Sequence, residues 1–224
     1  MSVEFRESLQ AVLDLPILEL LPVSGGCISE AWQVRTTEET VFVKLSTGLL
    51  PGMLSAEAQG LHELAKSEAI RVPEVIRLTE DFLVLEFIPT AINPPTDFWP
   101  KLGQQLANLH AYSRKIPGFH QDNFIGRSPQ KNHCKSNWKE FFWQCRLLPQ
   151  WEMAMQRGVP NKIKLLWQKL EILWSATLEG SSPQASLLHG DLWSGNVLVT
   201  TNGEPVVIDR DRVDLVGHLV VPAG

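Results

Sequence analysis

The stretch at 187–196, LLHGDLWSGN, restricts this chain more than any other. An apolar run (Ala185, Leu187, Leu188) leads into His189-Gly190-Asp191, and Asn196 opens a second apolar run, Val197-Leu198-Val199. A further strand-like run, Pro205-Val206-Val207-Ile208, delivers Asp209. An acid, an amide and a second acid thus emerge at the ends of short strands, where loops on a rigid scaffold usually hold the chemistry. Asp and Asn five residues apart, followed a strand later by another Asp, is the order used for transfer of the ATP γ-phosphoryl group. A chain arranged this way also needs a grip on the phosphates, a partner for that grip, and a place for the acceptor.

Composition narrows the alternatives. At 224 residues the chain makes one large domain or two small lobes. A formal charge of -5 and a pI near 5.7 argue against a general nucleic-acid binder, which would present a basic surface. No apolar run is long enough to span a membrane, and the first residues, MSVEFRESLQ, lack the pattern of a signal peptide. Cys27, Cys134 and Cys145 form an odd, sparse set that makes neither a disulfide framework nor a zinc site. Reduced thiols in a cytoplasmic setting are therefore expected. Eight tryptophans are many for this length, and most are expected in the core.

Hydrophobic periodicity divides the chain into two parts. Residues 4–13 predict a short amphipathic helix ended by Pro16, and 17–23 a strand. Ser24-Gly25-Gly26-Cys27 predicts a tight turn, followed by a hairpin of 31–34 with 41–45. Residues 53–65 predict a helix and 82–88 a buried strand. The three prolines within 89–95 mark a connector, so the lobes are placed at 1–90 and 91–224. In the second part, a helix through Leu102, Leu106 and Leu109 precedes a long polar loop at 117–136, of the sort that is usually functional. Helices are then predicted over 138–155 and 159–178. The repeat Ile163, Leu166, Trp167, Leu170, Leu173, Trp174 in the latter predicts a core face. The fold class is α+β: an antiparallel-sheet first lobe with one helix, and a mainly helical second lobe.

The remaining parts of a phosphoryl-transfer site can be named. Lys44 follows Val41-Phe42-Val43, much as a phosphate-binding lysine ends its strand. Taken alone, it equally describes a lysine snorkelling at a strand end. Glu57, in the next helix, is placed to pair with it, or is a solvated helix glutamate. Gly25 and Gly26 offer backbone N–H groups to phosphates, although a hairpin turn needs no ligand. Asp191 is the candidate that accepts or orients the acceptor proton. Asn196 and Asp209 offer oxygens that suit Mg²⁺. Together the Gly-turn, Lys, Glu, Asp, Asn and Asp, in that order, are far more specific than any one of them.

These residues resemble the fructosamine (ketosamine) 3-kinases, within the aminoglycoside-phosphotransferase-like kinases of the protein-kinase-like superfamily. Gly190 resembles the small-molecule kinases of that superfamily, and HGDLW followed by a small residue, Gly195 and Asn196 is more particular to ketosamine kinases. Further matching stretches include GGCISEAW (25–32), FVKLS (42–46), AEAQGLHEL (56–64), DNFIGRSPQKN (122–132) and WKEFFWQCRL (138–147). The resemblance implies a two-lobed protein-kinase-like fold, ATP and Mg²⁺ as cofactors, and transfer of the γ-phosphate to the sugar O3 of a ketosamine, free or on a glycated lysine. The product would release its amine, so the implied role is deglycation.

By the same resemblance, Lys44 and Glu57 are the phosphate-binding pair, Asp191 the catalytic base, and Asn196 and Asp209 the magnesium ligands. Glu86, Phe87 and Ile88 form the adenine-binding hinge, and Asp122, Asn123 and Trp193 belong to the sugar pocket. Cys27 matches a glycine-loop cysteine linked in the family to redox control through an intersubunit disulfide, hence to a homodimer. An inert small residue in a turn is the competing reading.

After Asp209 the chain departs from the family pattern. Arg210 to Leu215 keeps only Asp211-Arg212 and Asp214-Leu215 of the expected segment, so an incomplete second lobe with exposed core and reduced stability is expected. Two other readings stay open. One is a small-molecule kinase of the same superfamily acting on an aminoglycoside or choline-like acceptor. The other is an inactive truncated remnant that binds nucleotide.

Overall fold

The computed structural model describes residues 3–23, 30–132, 137–177, 184–208 and 214–217. Helix α1 (Val3–Leu13) leads into strands β1 (Ile17–Val23), β2 (Ala31–Thr36) and β3 (Thr40–Leu45). Helix α2 (Met53–Ala65) then precedes β4 (Val75–Leu78) and β5 (Phe82–Glu86). The five strands form one antiparallel sheet in the order β1-β2-β3-β5-β4. The β2–β3 hairpin closes on Thr36, whose hydroxyl donates to the Glu39 carbonyl and accepts from the N–H groups of Glu38 and Glu39. A threonine at a tight turn commonly bonds the local backbone in this way.

The continuous apolar run in β5 follows from where it lies. Successive strand residues face opposite sides of a sheet. Phe82 and Val84 pack with Leu9 and Leu13 of α1 and with Val34, Val41 and Val43. Leu83 and Leu85 face the other way, against Leu54, Ala58 and Leu61 of α2. Both faces of β5 are covered, so no polar alternation is needed.

The second part begins with α3 (Phe98–Ala111) and the short β6 (Ser113–Arg114). A small hairpin, β7 (Asn123–Ile125) with β8 (Ser128–Gln130), follows. Then come α4 (Trp138–Phe142), a π-helical turn (Trp143–Leu147), α5 (Leu148–Gln156) and α6 (Asn161–Thr177). Strand β9 (Ala185–Leu188) pairs with β6 and with β12 (Asp214–Gly217). Between them, a 3₁₀ turn (Ser194–Asn196) opens the hairpin of β10 (Val197–Val199) with β11 (Pro205–Val207).

A shared core joins the two parts. Leu64 and Ile70, at and beyond the end of α2, pack with Phe98, Leu102, Leu109, Phe119, Leu187 and Val207. Backbone bonds reinforce it: Val207 N–H donates to Arg71 O (3.0 Å), Ala91 N–H to Val199 O (2.8 Å), and Thr201 N–H to Pro89 O (3.2 Å).

Four expectations are corrected. The polar segment at 117–136 is not a structureless loop, because it holds the β7–β8 hairpin. The helix expected over 138–155 is interrupted by the π-helical turn, the kind of single-turn bulge that accommodates an extra residue. The apolar face of α6 does not become core. Ile163, Leu166 and Leu173 are 45%, 52% and 58% exposed, while Trp167, Leu170 and Trp174 are half-buried. Helical periodicity shows that residues share a face, but it does not supply the surface that covers them. Finally, Cys145 is buried and disulfide-bonded rather than a free thiol.

Candidate active site

Lys44 lies within β3, between Ala31 on β2 and Leu83 on β5. Its side chain is 4% exposed, and its Nζ donates to Glu57 Oε1 at 2.8 Å; the Glu57 side chain is 3% exposed. Neither the snorkelling lysine nor the solvated glutamate describes this geometry. Helix α2 packs on the same sheet through Leu54, Ala58 and Leu61, which turns Glu57 toward β3. A buried ammonium is tolerated only when paired, so the lysine is held at one point in space.

Asp191 follows β9 through Gly190, whose φ of +83° is a backbone state that favours glycine. Asp191 itself is exposed. Asn196, 3% exposed, donates through Nδ2 to the Asp191 carbonyl (2.9 Å) and to Asp191 Oδ2 (3.3 Å). The amide therefore closes the loop onto the acid. A Cβ at Gly195 would lie 2.3 Å from the Trp193 ring, so a larger residue there would have to displace that ring. Trp193 covers this glycine while remaining 54% exposed. His189 is buried beneath the loop at 2% exposure.

The other candidates are placed less uniformly. Glu86 ends β5 opposite Val41, and its carboxylate accepts from Arg71 and from the Glu74 N–H (3.3 Å). Its side chain thus braces the strand end, while residues 87 and 88 leave the ladder and run toward the second part. Asp122 accepts from the Asn132 N–H (2.8 Å). Asn123, 3% exposed, accepts from Gln130 Nε2 (3.0 Å) and Asn132 Nδ2 (2.7 Å). Both residues stabilise the β7–β8 hairpin and the segment after it. Gly25, Gly26, Cys27 and Asp209 lie outside the described residues, so neither the glycine turn nor the second metal candidate is located.

The donors in this loop suit a magnesium ion. Asn196 uses its Nδ2 on Asp191, and its Oδ1 makes no hydrogen bond among the described residues. A neutral amide oxygen beside a carboxylate suits a hard, oxygen-seeking cation. Asn196 and Asp191 together fit such an ion. The N–H of Ile208, the last described residue before Asp209, donates to the Asn196 carbonyl at 3.0 Å.

Sequence reasoning missed Glu63 and Arg114. Glu63 is 1% exposed on α2 and pairs with Arg114 of β6 and with Lys66 (3.1 Å). Arg114 and Glu63 are 51 residues apart and share no motif. The one available signal was a charged residue between the buried positions Leu61 and Leu64.

Comparison with known proteins places the chain in a family and a fold. The sequence model of the fructosamine kinase family matches residues 2–213. A chloroplastic protein-ribulosamine 3-kinase from Oryza sativa subsp. japonica is 37% identical over 84% of this chain and 56% of its own length. A Synechocystis protein assigned as a ketoamine kinase is 36% identical, covering 86% of this chain and 66% of the relative. The chain thus spans between half and two thirds of the length of these curated relatives. Among solved structures, a Thermobifida fusca protein assigned as a fructosamine-3-kinase superposes with a TM-score of 0.78 at 28% identity, over 94% of this chain and 74% of that one. The aminoglycoside phosphotransferase APH(4)-Ia, in complex with AMP-PNP and hygromycin B, shares the fold alone, with a TM-score of 0.63 at 16% identity, over 95% of this chain and 72% of that one. The fold is therefore the two-lobed kinase-like one, and this chain belongs to the fructosamine kinase family.

Proposed function

We propose that the chain is an ATP-dependent ketosamine 3-kinase. The observation behind this reading is the buried Lys44–Glu57 pair at 2.8 Å, in one chain with the Asp191–Asn196 loop. Family membership gives those parts a substrate class. Lys44 would neutralise the α- and β-phosphates, while the backbone of residues 87 and 88 would meet the adenine. The sugar O3 then attacks the γ-phosphorus, the bond to the β,γ-bridging oxygen breaks, and ADP leaves with that electron pair. Asp191 orients the O3 hydroxyl and takes its proton. Mg²⁺, held by Asn196 and Asp209, would supply charge neutralisation at the phosphates.

The acceptor is a ketosamine, free or on a glycated lysine, and the formal charge of -5 is consistent with a partner other than nucleic acid. A Cys27-linked homodimer belongs to the same reading. Non-reducing electrophoresis of the wild type beside Cys27→Ser tests the dimer.

The deciding assay for the activity is ATP turnover with ribulose-lysine and fructose-lysine, wild type beside Asp191→Asn. Acceptor-dependent ADP release that falls with the substitution is expected. Release that the substitution leaves unchanged removes Asp191 as the base, and a wild type that binds Mg-ATP without turnover removes the activity.

A further inference from the structure

Helix α2 is gripped from two directions. Near its N-terminal end, Glu57 meets Lys44 of the first sheet. Toward its C-terminal end, Glu63 meets Arg114, a residue of the second part. Gln59, one helical turn before Glu63, bonds His120 across a separation of 61 residues (3.1 Å). Arg114 is no bystander, because β6 pairs with β9 in the register Ser113↔Ser186 and Arg114↔Ala185. Strand β9 runs directly into His189-Gly190-Asp191, and its Leu187 N–H donates to the Tyr112 carbonyl at 2.9 Å.

Energetics make this second grip specific. The Glu63 side chain is 2% exposed, whereas that of its other partner, Lys66, is 63% exposed. A buried carboxylate loses its hydration and must recover it from fixed partners. Arg114 is the partner anchored in β-structure, so it determines where Glu63 rests. An α-helix rises 1.5 Å per residue, which puts Glu57 about 9 Å from Glu63 along one stiff rod. Rotation or sliding at Glu63 is therefore transmitted to Glu57. A hydrogen bond of 2.8 Å tolerates only a few tenths of an ångström before it weakens.

We infer that Glu63 and Arg114 are positioning residues, locking α2 to the strand that presents Asp191 so that Glu57 holds Lys44 in place. Their assigned effect passes through the Lys44–Glu57 pair. The inference rests on the proposed phosphate-binding role of Lys44, but its physical content can be measured without nucleotide or acceptor.

The test reads the reactivity of the Lys44 amine toward acetic anhydride, by mass spectrometry, in the wild type, Glu57→Gln, Arg114→Gln and the double variant. Circular dichroism monitors folding. Arg114→Gln is expected to label Lys44 about tenfold faster, which corresponds to weakening the pair by about 1.4 kcal/mol. In the Glu57→Gln background the same change is expected to add less than about twofold, because residues that act through one contact are not additive. Arg114→Lys, which keeps the charge, should restore most of the protection.

Unchanged Lys44 labelling in Arg114→Gln overturns the inference, as does an increase that multiplies that of Glu57→Gln. Should Arg114→Gln not fold, Gln59→Ala makes the comparison on the same helix face. A rise of about threefold supports the inference there, and no rise overturns it. A wild type with protected Lys44 but no acceptor-dependent turnover would fail the kinase reading alone.

Discussion

The two halves of the site are built on opposite principles. The Lys44–Glu57 half is closed, with both side chains under 5% exposed and joined by a buried ion pair. In the Asp191–Asn196 half the acid is exposed and only the amide beneath it is buried, at 3%. In the first half the charges are structural members, and removing one takes a buried hydrogen-bonded partner from the other. In the second half the reactive acid stands outside the packing, and a loop of two glycines and a buried asparagine sets its direction. Stability and chemistry should therefore respond to different residues.

Asp191→Asn gives the sharpest contrast. It should reduce acceptor-dependent turnover by about 10²–10⁴-fold, the usual contribution of a positioned proton acceptor. The melting temperature should move little, because exposed substitutions typically fall within about 0.5 kcal/mol. A large loss of stability in this variant would break the comparison. Glu57→Ala should act on stability as well, costing about 3–5 kcal/mol of folding stability in urea titrations by removing one member of a buried pair, and turnover should fall with it because Lys44 loses its position. Asn196→Ala lies between them. It removes two bonds to Asp191 and should cost about 1–2 kcal/mol, while raising the Mg²⁺ concentration needed for half-maximal turnover. Lys66→Ala should have the smallest effect, at most about 1 kcal/mol, since Lys66 is mostly exposed and Arg114 remains on Glu63. A loss as large as that of Glu57→Ala would instead make Lys66 the main partner of Glu63.

Local patterns were legible in the sequence, and distant ones were not. Strand β3 ending near Lys44, the helix holding Glu57, and the Asp191 to Asn196 spacing are contiguous features set by short-range geometry. Strand alternation and helical period also fixed most element boundaries, including Met53–Ala65. The β7–β8 hairpin escaped because its strands are three residues long and contain Pro129. Glu63 resembled any solvated helix glutamate, since its partner Arg114 follows 51 residues later. The face of α6 was read correctly as a shared face and wrongly as core, because periodicity describes one side of an interface. Asp122 and Asn123 carried a resemblance to a pocket, and each also accepts hydrogen bonds from its own segment, which the sequence did not foretell. Burial and pairing across the chain decide such cases.

The π-helical turn at Trp143–Leu147 bears on how this second part tolerates length change. Trp143 stacks on Trp167 at 5.1 Å, and Trp151, beyond the turn, stacks on the same indole at 4.6 Å and 2°. The widened turn thus keeps two tryptophans, one at its start and one beyond it, in phase with a single partner on α6. Deleting one residue from it would restore regular winding but rotate α5 by about 100° relative to α4. Trp151 would then swing away from Trp167. In this helix a one-residue deletion is a change of angle, and substitutions that keep the count should be far better tolerated than those that alter it.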